Sequence, residues 1–188
     1  MSILVTGMGR SGTMFLAKQL SKSKEWVSSH ERETSLYTDD IPQRVIDRFT
    51  ADRYIEVNSY LRHIAHKIPA DKKFILIRNP LDIARSIKSR GRHDINYILK
   101  HINDALVSID ECISNYDFGI ISFKEITHNL IYLNRLIKNS FGITDINQSM
   151  FEMIVINANP VYTDLTEQEL QLCRSKFLWF IDKYMEYM

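Results

Sequence analysis

Three glycines, at positions 7, 9 and 12, with Arg10, Ser11 and Thr13 set among and just after them, form the part of this chain best suited to chemistry. Glycine tolerates positive φ and lets other groups approach the main chain closely. A helix starting from such a turn also presents unpaired N–H groups and the positive end of its dipole. Residues 3–6 read as a strand and residues 12–22 as a helix, so the turn between them reads as an anion cradle. Gly7-x4-Gly12 has the frame of a Walker A loop, yet Gly12 is followed by Thr13 and Met14, where a lysine and a hydroxyl residue belong. That lysine reaches the β- and γ-phosphates and the next hydroxyl binds Mg²⁺, so its absence argues against ordinary metal-assisted phosphoryl transfer. Arg10 stands nearby as the cation instead.

A second constellation lies in FILIRNPLDIARSIKSR at 74–90. An apolar strand ends at Arg78, Asn79 is a suitable N-cap, Pro80 a suitable first helical residue, and Ser86 follows Arg78 by eight positions inside the helix. A cation at the carboxyl end of a parallel strand stands in the crevice where open α/β sheets bind ligands, beside the first loop if the two strands are neighbours. The competing reading of Arg78 pairs it with Asp82 on the helix, and Ser86 alone reads as an ordinary helix serine.

The elements that must hold these groups follow α/β grammar. Strands are expected at 3–6, 25–29, 54–57, 74–78 and 119–123, with FILI at 74–77 and GIIS at 119–122 as fully buried parallel strands. Helices are expected at 12–22, 41–49, 59–67, 80–90, about 94–115, 124–140, 147–155 and 166–187. The last opens on a capping box, Thr166 with Glu169, and carries Leu170, Cys173, Phe177, Ile181 and Tyr184 at helical spacing. The expected architecture is a three-layer α/β/α sandwich of the P-loop type, with a mostly parallel sheet of about five strands and a helical C-terminus.

With 188 residues, 45% of them hydrophobic and 25% charged, the chain suits one domain over 1–188. A net charge of +1 offers no broad basic field for nucleic acid. The first strand begins near residue 3, leaving no room for a signal peptide, and no apolar run approaches the ~18 residues of a membrane span, so a cytoplasmic location is expected. Cys112 and Cys173 are isolated and read as reduced, core-facing thiols. His63 and His66, three apart in YLRHIAHK, lack a third partner and read as structural. Lys88, Arg90, Arg92 and His93 read as a solvated face or as the lining of an anion pocket.

Gly7-Met8-Gly9-Arg10-Ser11-Gly12-Thr13 resembles the 5′-phosphosulfate loop of sulfotransferases that use 3′-phosphoadenosine 5′-phosphosulfate (PAPS), and Arg78-Asn79-Pro80 with Ser86 resembles their 3′-phosphate motif. A softer likeness lies in ISFKEITHN at 121–129, so the resemblance spans about residues 1–143. The glycine-rich segment by which cytosolic members grip the nucleotide near their C-terminus is not visible. The resemblance implies that PAPS is the co-substrate, held by Gly9, Arg10, Ser11, Gly12, Thr13 and Met14 around the 5′-phosphosulfate and by Arg78 and Ser86 at the 3′-phosphate, with no metal. It implies transfer of a sulfuryl group to a hydroxyl, less readily an amine, of a small-molecule, carbohydrate or lipid acceptor. Arg10 would stabilise charge on the bridging oxygen.

The acceptor needs a base, and the family uses a histidine or a glutamate. Val27-Ser28-Ser29-His30-Glu31-Arg32-Glu33 would lie near the phosphate loop if its strand pairs beside the first. Glu31 is the first choice, with His30 and Glu33 as further candidates. Successive side chains on a strand point to opposite faces, so only one of His30 and Glu31 is expected to face the cleft. The same features leave two other readings open, a small-metabolite kinase of the P-loop type and a non-catalytic nucleotide-binding module.

Overall fold

The computed structural model describes residues 1–33, 40–91, 94–151 and 164–188. Five strands, β1 (Ser2–Gly7), β2 (Val27–His30), β3 (Tyr54–Val57), β4 (Lys72–Ile77) and β5 (Gly119–Ser122), form one sheet in the order β2-β3-β1-β4-β5. Every pairing is parallel.

Parallel neighbours need crossovers, and these cover both faces of the sheet. Side chains alternate accordingly. Leu4, Ile75 and Ile77 enter one apolar cluster, with residues of α2 (Gln43–Thr50), α3 (Pro80–Lys88), α4 (Ile95–Asn115) and α7 (Glu167–Tyr184). Ile3, Val5, Ile55, Val57 and Leu76 enter the other, with α1 (Thr13–Leu20), α5 (Phe123–His128), α6 (Leu130–Arg135) and the π-turn Leu136–Ser140. The result is the three-layer α/β/α arrangement, its C-terminal helix docked on α3 and α4 through Cys173, Phe177 and Phe180. Each such buried aromatic contributes roughly 1.5–3 kcal/mol of transfer free energy.

The expected caps are present. Asn79 accepts from Leu81 N at 2.9 Å with Pro80 as first helical residue, and Thr166 and Glu169 form a reciprocal capping box. Five expectations need correction. β2 does not pair beside β1; β3 lies between them. β5 is an edge strand, so Gly119 and Ile120 are half-buried rather than fully buried. Residues 59–67 form two 3-10 turns, Ser59–His63 and Ala65–Lys67, parted at Ile64, where φ is −117°. The expected helix 124–140 breaks at Asn129, whose extended backbone and side chain cap α6. Of 147–155 only the 3-10 turn Gln148–Met150 is helical among the described residues, and 152–155 lie outside them.

The sheet creates one crevice by its winding. α1 leaves β1 toward one face, with Leu16 and Leu20 in its cluster, while α3 leaves the adjacent β4 toward the other, with Ile83, Ala84 and Ile87. The loops after β1 and β4 therefore diverge at neighbouring carboxyl ends, where doubly wound sheets hold ligands.

Candidate functional site

The loop between β1 and α1 is tight. Ser11 N donates to Met8 O at 3.0 Å, and the first intrahelical bond runs from Leu16 N to Gly12 O at 3.1 Å. The N–H groups of Thr13, Met14 and Phe15 therefore precede the helical ladder, and no side chain caps them. The glycines serve different ends. Gly12 takes φ +100°, and a Cβ there would lie 2.3 Å from the Phe123 ring. Gly7 has its conventional φ but sits against β4, where a Cβ would meet Leu76 O at 2.6 Å. Gly9 needs neither; Arg10 takes the second left-handed position, φ +73°.

That conformation throws the Arg10 guanidinium toward α3. Arg10 Nε donates to Ser86 Oγ at 3.3 Å, and Arg78 Nη1 donates to Arg10 O at 3.0 Å. Two constellations separated by 68 to 76 positions thus become one site. Arg78 lies 4.5 Å over the Phe123 ring, the ring that also closes on Gly12. Phe123 is the residue that sequence reasoning missed here; an aromatic directly after the β5 strand run was its only signal. Arg78 and Asp82 form no ion pair among the described residues; Asp82 lies 3.8 Å from Arg85 instead.

Electrostatically the site is a cation cluster. Burial, then repulsion from Arg90 and Arg78, holds Arg10 below the usual arginine range, with Glu31 partly offsetting, and burial does the same to Arg78. Both guanidiniums remain charged at neutral pH. Ser11 Oγ and Arg78 Nε are two of five buried side-chain atoms without a hydrogen-bond partner among the described residues, and their residues line one narrow, otherwise apolar pocket with Met8, Ile77 and Ile83. That pocket holds about 10 Å³, room for one water rather than for an oxyanion. Ser11 thus faces the Arg78 side of the loop, while its own N–H is spent within the turn. Met14 is 68% exposed at the mouth, placed to offer its main-chain N–H rather than its side chain.

His30 and Glu31 come together across this loop although β2 is two strands from β1, because α1 packs on β2. His30 Nε2 is 3.4 Å from Thr13 Oγ1 and 3.9 Å from Glu31 Oε1. The expectation that only one of the pair faces the cleft fails for a local reason: Glu31 has φ +47°, which ends strand alternation and turns its side chain back beside His30. Glu31 N donates to Val57 O at 3.2 Å, and Ser59 Oγ donates to Glu31 Oε1 at 2.5 Å. Thr13 and Glu31 approach the same ring nitrogen of His30, so the three do not form a relay through the imidazole.

Glu33 is not with them. Arg44 Nη2 at 2.9 Å and Arg48 Nη2 at 2.6 Å hold its carboxylate, whose side chain is 10% exposed. The Arg44 and Arg48 hydrogen bonds outweigh burial and hold it below the usual carboxylate range. A depressed folded-state pKa contributes stability that is present above the unfolded value and lost as pH falls through the folded one. Stability to urea is therefore expected to decline as the pH drops below about 4.3, the unfolded glutamate value. In Glu33→Gln that acid-side decline should be shallower and the neutral-pH midpoint lower; equal pH slopes for the two chains would remove the ion pair from this role.

Elsewhere, His63 Nδ1 lies 3.0 Å from Ser108 Oγ and His66 stacks on Tyr116, both structural roles. Lys88 pairs with Glu169 at 2.8 Å, while Arg92 and His93 lie outside the described residues. A cavity of about 480 Å³ lined by His66, Lys73, Tyr116 and Phe118 opens at the amino ends of β4 and β5, away from the cation cluster. Cys112 and Cys173 are buried free thiols, and burial pushes both up to about 11. No helix among the described residues is long and apolar enough to cross a membrane. No protein-family model matches the chain, and no curated protein matches it in sequence.

Proposed function

We propose that the chain is a PAPS-dependent sulfotransferase, moving a sulfuryl group to a hydroxyl of an acceptor. The observation that carries this reading is the junction of the two constellations, Arg10 Nε on Ser86 Oγ at 3.3 Å and Arg78 Nη1 on Arg10 O at 3.0 Å. A nucleotide bearing phosphate at both its 3′ and 5′ positions needs two anion subsites within one molecule's length, and this junction supplies cations and donors for both. Arg78 and Ser86 take the 3′-phosphate. The first-turn N–H groups of α1, with Thr13 Oγ1, take the 5′-phosphosulfate.

A second support is what stands where a metal-dependent phosphoryl transferase keeps its ion. Such enzymes place an acidic residue and the P-loop hydroxyl on Mg²⁺. Here the residue after β4 is Arg78, and Thr13 follows Gly12 with no lysine between. A fixed guanidinium takes the part of neutralising developing charge.

In the reaction, Glu31 accepts the proton of the acceptor hydroxyl. The acceptor oxygen then bonds to sulfur as the bond from sulfur to the bridging phosphate oxygen breaks, and 3′-phosphoadenosine 5′-phosphate leaves with the extra charge. Arg10 stabilises that charge. His30, 3.9 Å from Glu31 and 3.4 Å from Thr13, orients the carboxylate over the loop. Transfer of labelled sulfate from PAPS into a panel of sugar, phenol and lipid hydroxyls, run in chelator, tests the reading. Labelled product is the supporting result; phosphate transfer from ATP in its place would overturn it.

A further inference from the structure

β3, between β2 and β1, carries a buried carboxylate. Glu56 is 0% exposed, on the same face as Tyr54 and Asn58 at the two-residue period of a strand. An aliphatic side chain there would avoid the desolvation of an acidic group. The group is spent on three donors. Tyr54 OH donates to Oε2, Asn58 Nδ2 to Oε1 at 2.7 Å, and Arg32 N to Oε1 at 3.3 Å.

Those donors bracket Glu31. Arg32 N is the main-chain group directly after the left-handed Glu31. Asn58, also 0% exposed, uses its second amide hydrogen on Glu33 O at 3.1 Å, and its Oδ1 accepts from Tyr60 N at 2.8 Å. That last bond starts the 3-10 turn whose first residue, Ser59, donates to the Glu31 carboxylate. Glu56 and Asn58 therefore grip the 31–33 turn from below while Ser59 grips the Glu31 side chain. A non-glycine residue at φ +47° is strained and persists where its surroundings over-determine it.

We infer that Glu56 is a positioning residue for the base: acting through Asn58 and Arg32 N, it keeps Glu31 in its left-handed turn and its carboxylate beside His30. The inference rests on the reading of Glu31 as the acceptor's base.

Glu56→Gln keeps the volume and can keep all three partners, its Nε2 donating to a Tyr54 OH turned to accept, but it removes the charge that strengthens the bonds from Asn58 Nδ2 and Arg32 N. Because displacement of a catalytic group by about 1 Å costs up to ~100-fold, a loosened turn should lower kcat by about tenfold. The dissociation constant of 3′-phosphoadenosine 5′-phosphate should stay unchanged, which also shows that the variant folds. In the double variant with Glu31→Gln, kcat should equal that of Glu31→Gln alone. Multiplying losses would overturn the inference. A readout independent of any sulfuryl transfer is the ring resonance of His30, identified by its loss in His30→Asn. It should move in Glu56→Gln as it moves in Glu31→Gln, and a stationary signal would overturn positioning even in an active enzyme. A wild-type chain that transfers no sulfate would count against the proposed reaction, while the His30 signal would still decide the role of Glu56. If Glu56→Gln fails to bind nucleotide, Tyr54→Phe removes one donor and keeps the carboxylate, with the same resonance test and the same deciding outcomes.

Discussion

Arg78→Ala is expected to weaken binding of 3′-phosphoadenosine 5′-phosphate by about 10- to 150-fold while the protein stays folded. A hydrogen bond to a charged group contributes about 1.5–3 kcal/mol, which converts to that range. The fold survives because Arg78 neutralises no buried carboxylate among the described residues, so its loss leaves no uncompensated buried charge. What is lost is the grip on Arg10 O and the stack on Phe123. Arg78→Lys should recover only part of the affinity, since an ammonium keeps the charge but neither the planar fork nor the stack. Calorimetry on the three chains gives the comparison; equal affinity in wild type and Arg78→Ala would remove Arg78 from the nucleotide site.

Glu31→Gln is expected to lower kcat by about 100- to 10,000-fold, the range of a positioned general base, with nucleotide affinity unchanged. The amide keeps the size of the side chain and an oxygen able to accept from Ser59 Oγ, so the turn at 31–33 holds and only proton acceptance disappears. Steady-state kinetics with saturating PAPS reads the loss. A Glu31→Gln enzyme of full activity would pass the role to His30, 3.9 Å away, and His30→Asn would then carry the large loss. Glu33 is no longer a candidate, because two arginines occupy its carboxylate.

The fold was largely legible because its signals are local and strong. β1 and β4 are apolar runs ended by glycine or by Arg78, and the caps at Asn79 and Thr166 carry their own hydrogen-bonding logic. Where the reading slipped, tertiary context decided. Tyr60 to Lys67 has helical periodicity, yet Asn58 starts it as a 3-10 turn and Ile64, buried at 3%, interrupts it. Asn129 looks like one polar residue on a helix surface, but its side chain accepts from Tyr132 N and starts a new helix. Strand order is not written in any one segment, so the placement of β2 outside β3 emerges only from the pairing.

The site divides along the same line. Arg10, Ser86 and Arg78 were legible as types at meaningful spacings, but their convergence depends on β1 lying beside β4 and on Arg10 taking a conformation more often left to glycine. The union of His30 and Glu31 depends on a positive φ at a glutamate, for which the sequence holds no marker. In the sequence Glu56 is one charged residue of a short strand. Its meaning comes from the three donors around it, contributed by both ends of β3 and by the turn after β2.

The central claim, that this cation cluster holds a nucleotide carrying a 3′-phosphate, is tested most directly by calorimetry of the wild-type chain with 3′-phosphoadenosine 5′-phosphate in chelator, beside ADP under the same conditions and ATP with Mg²⁺. Binding with a micromolar dissociation constant, on the order of −8 kcal/mol, that is lost when the 3′-phosphate is absent is the predicted result. Tight binding of ATP only with Mg²⁺ and indifference to the 3′-phosphate would contradict it.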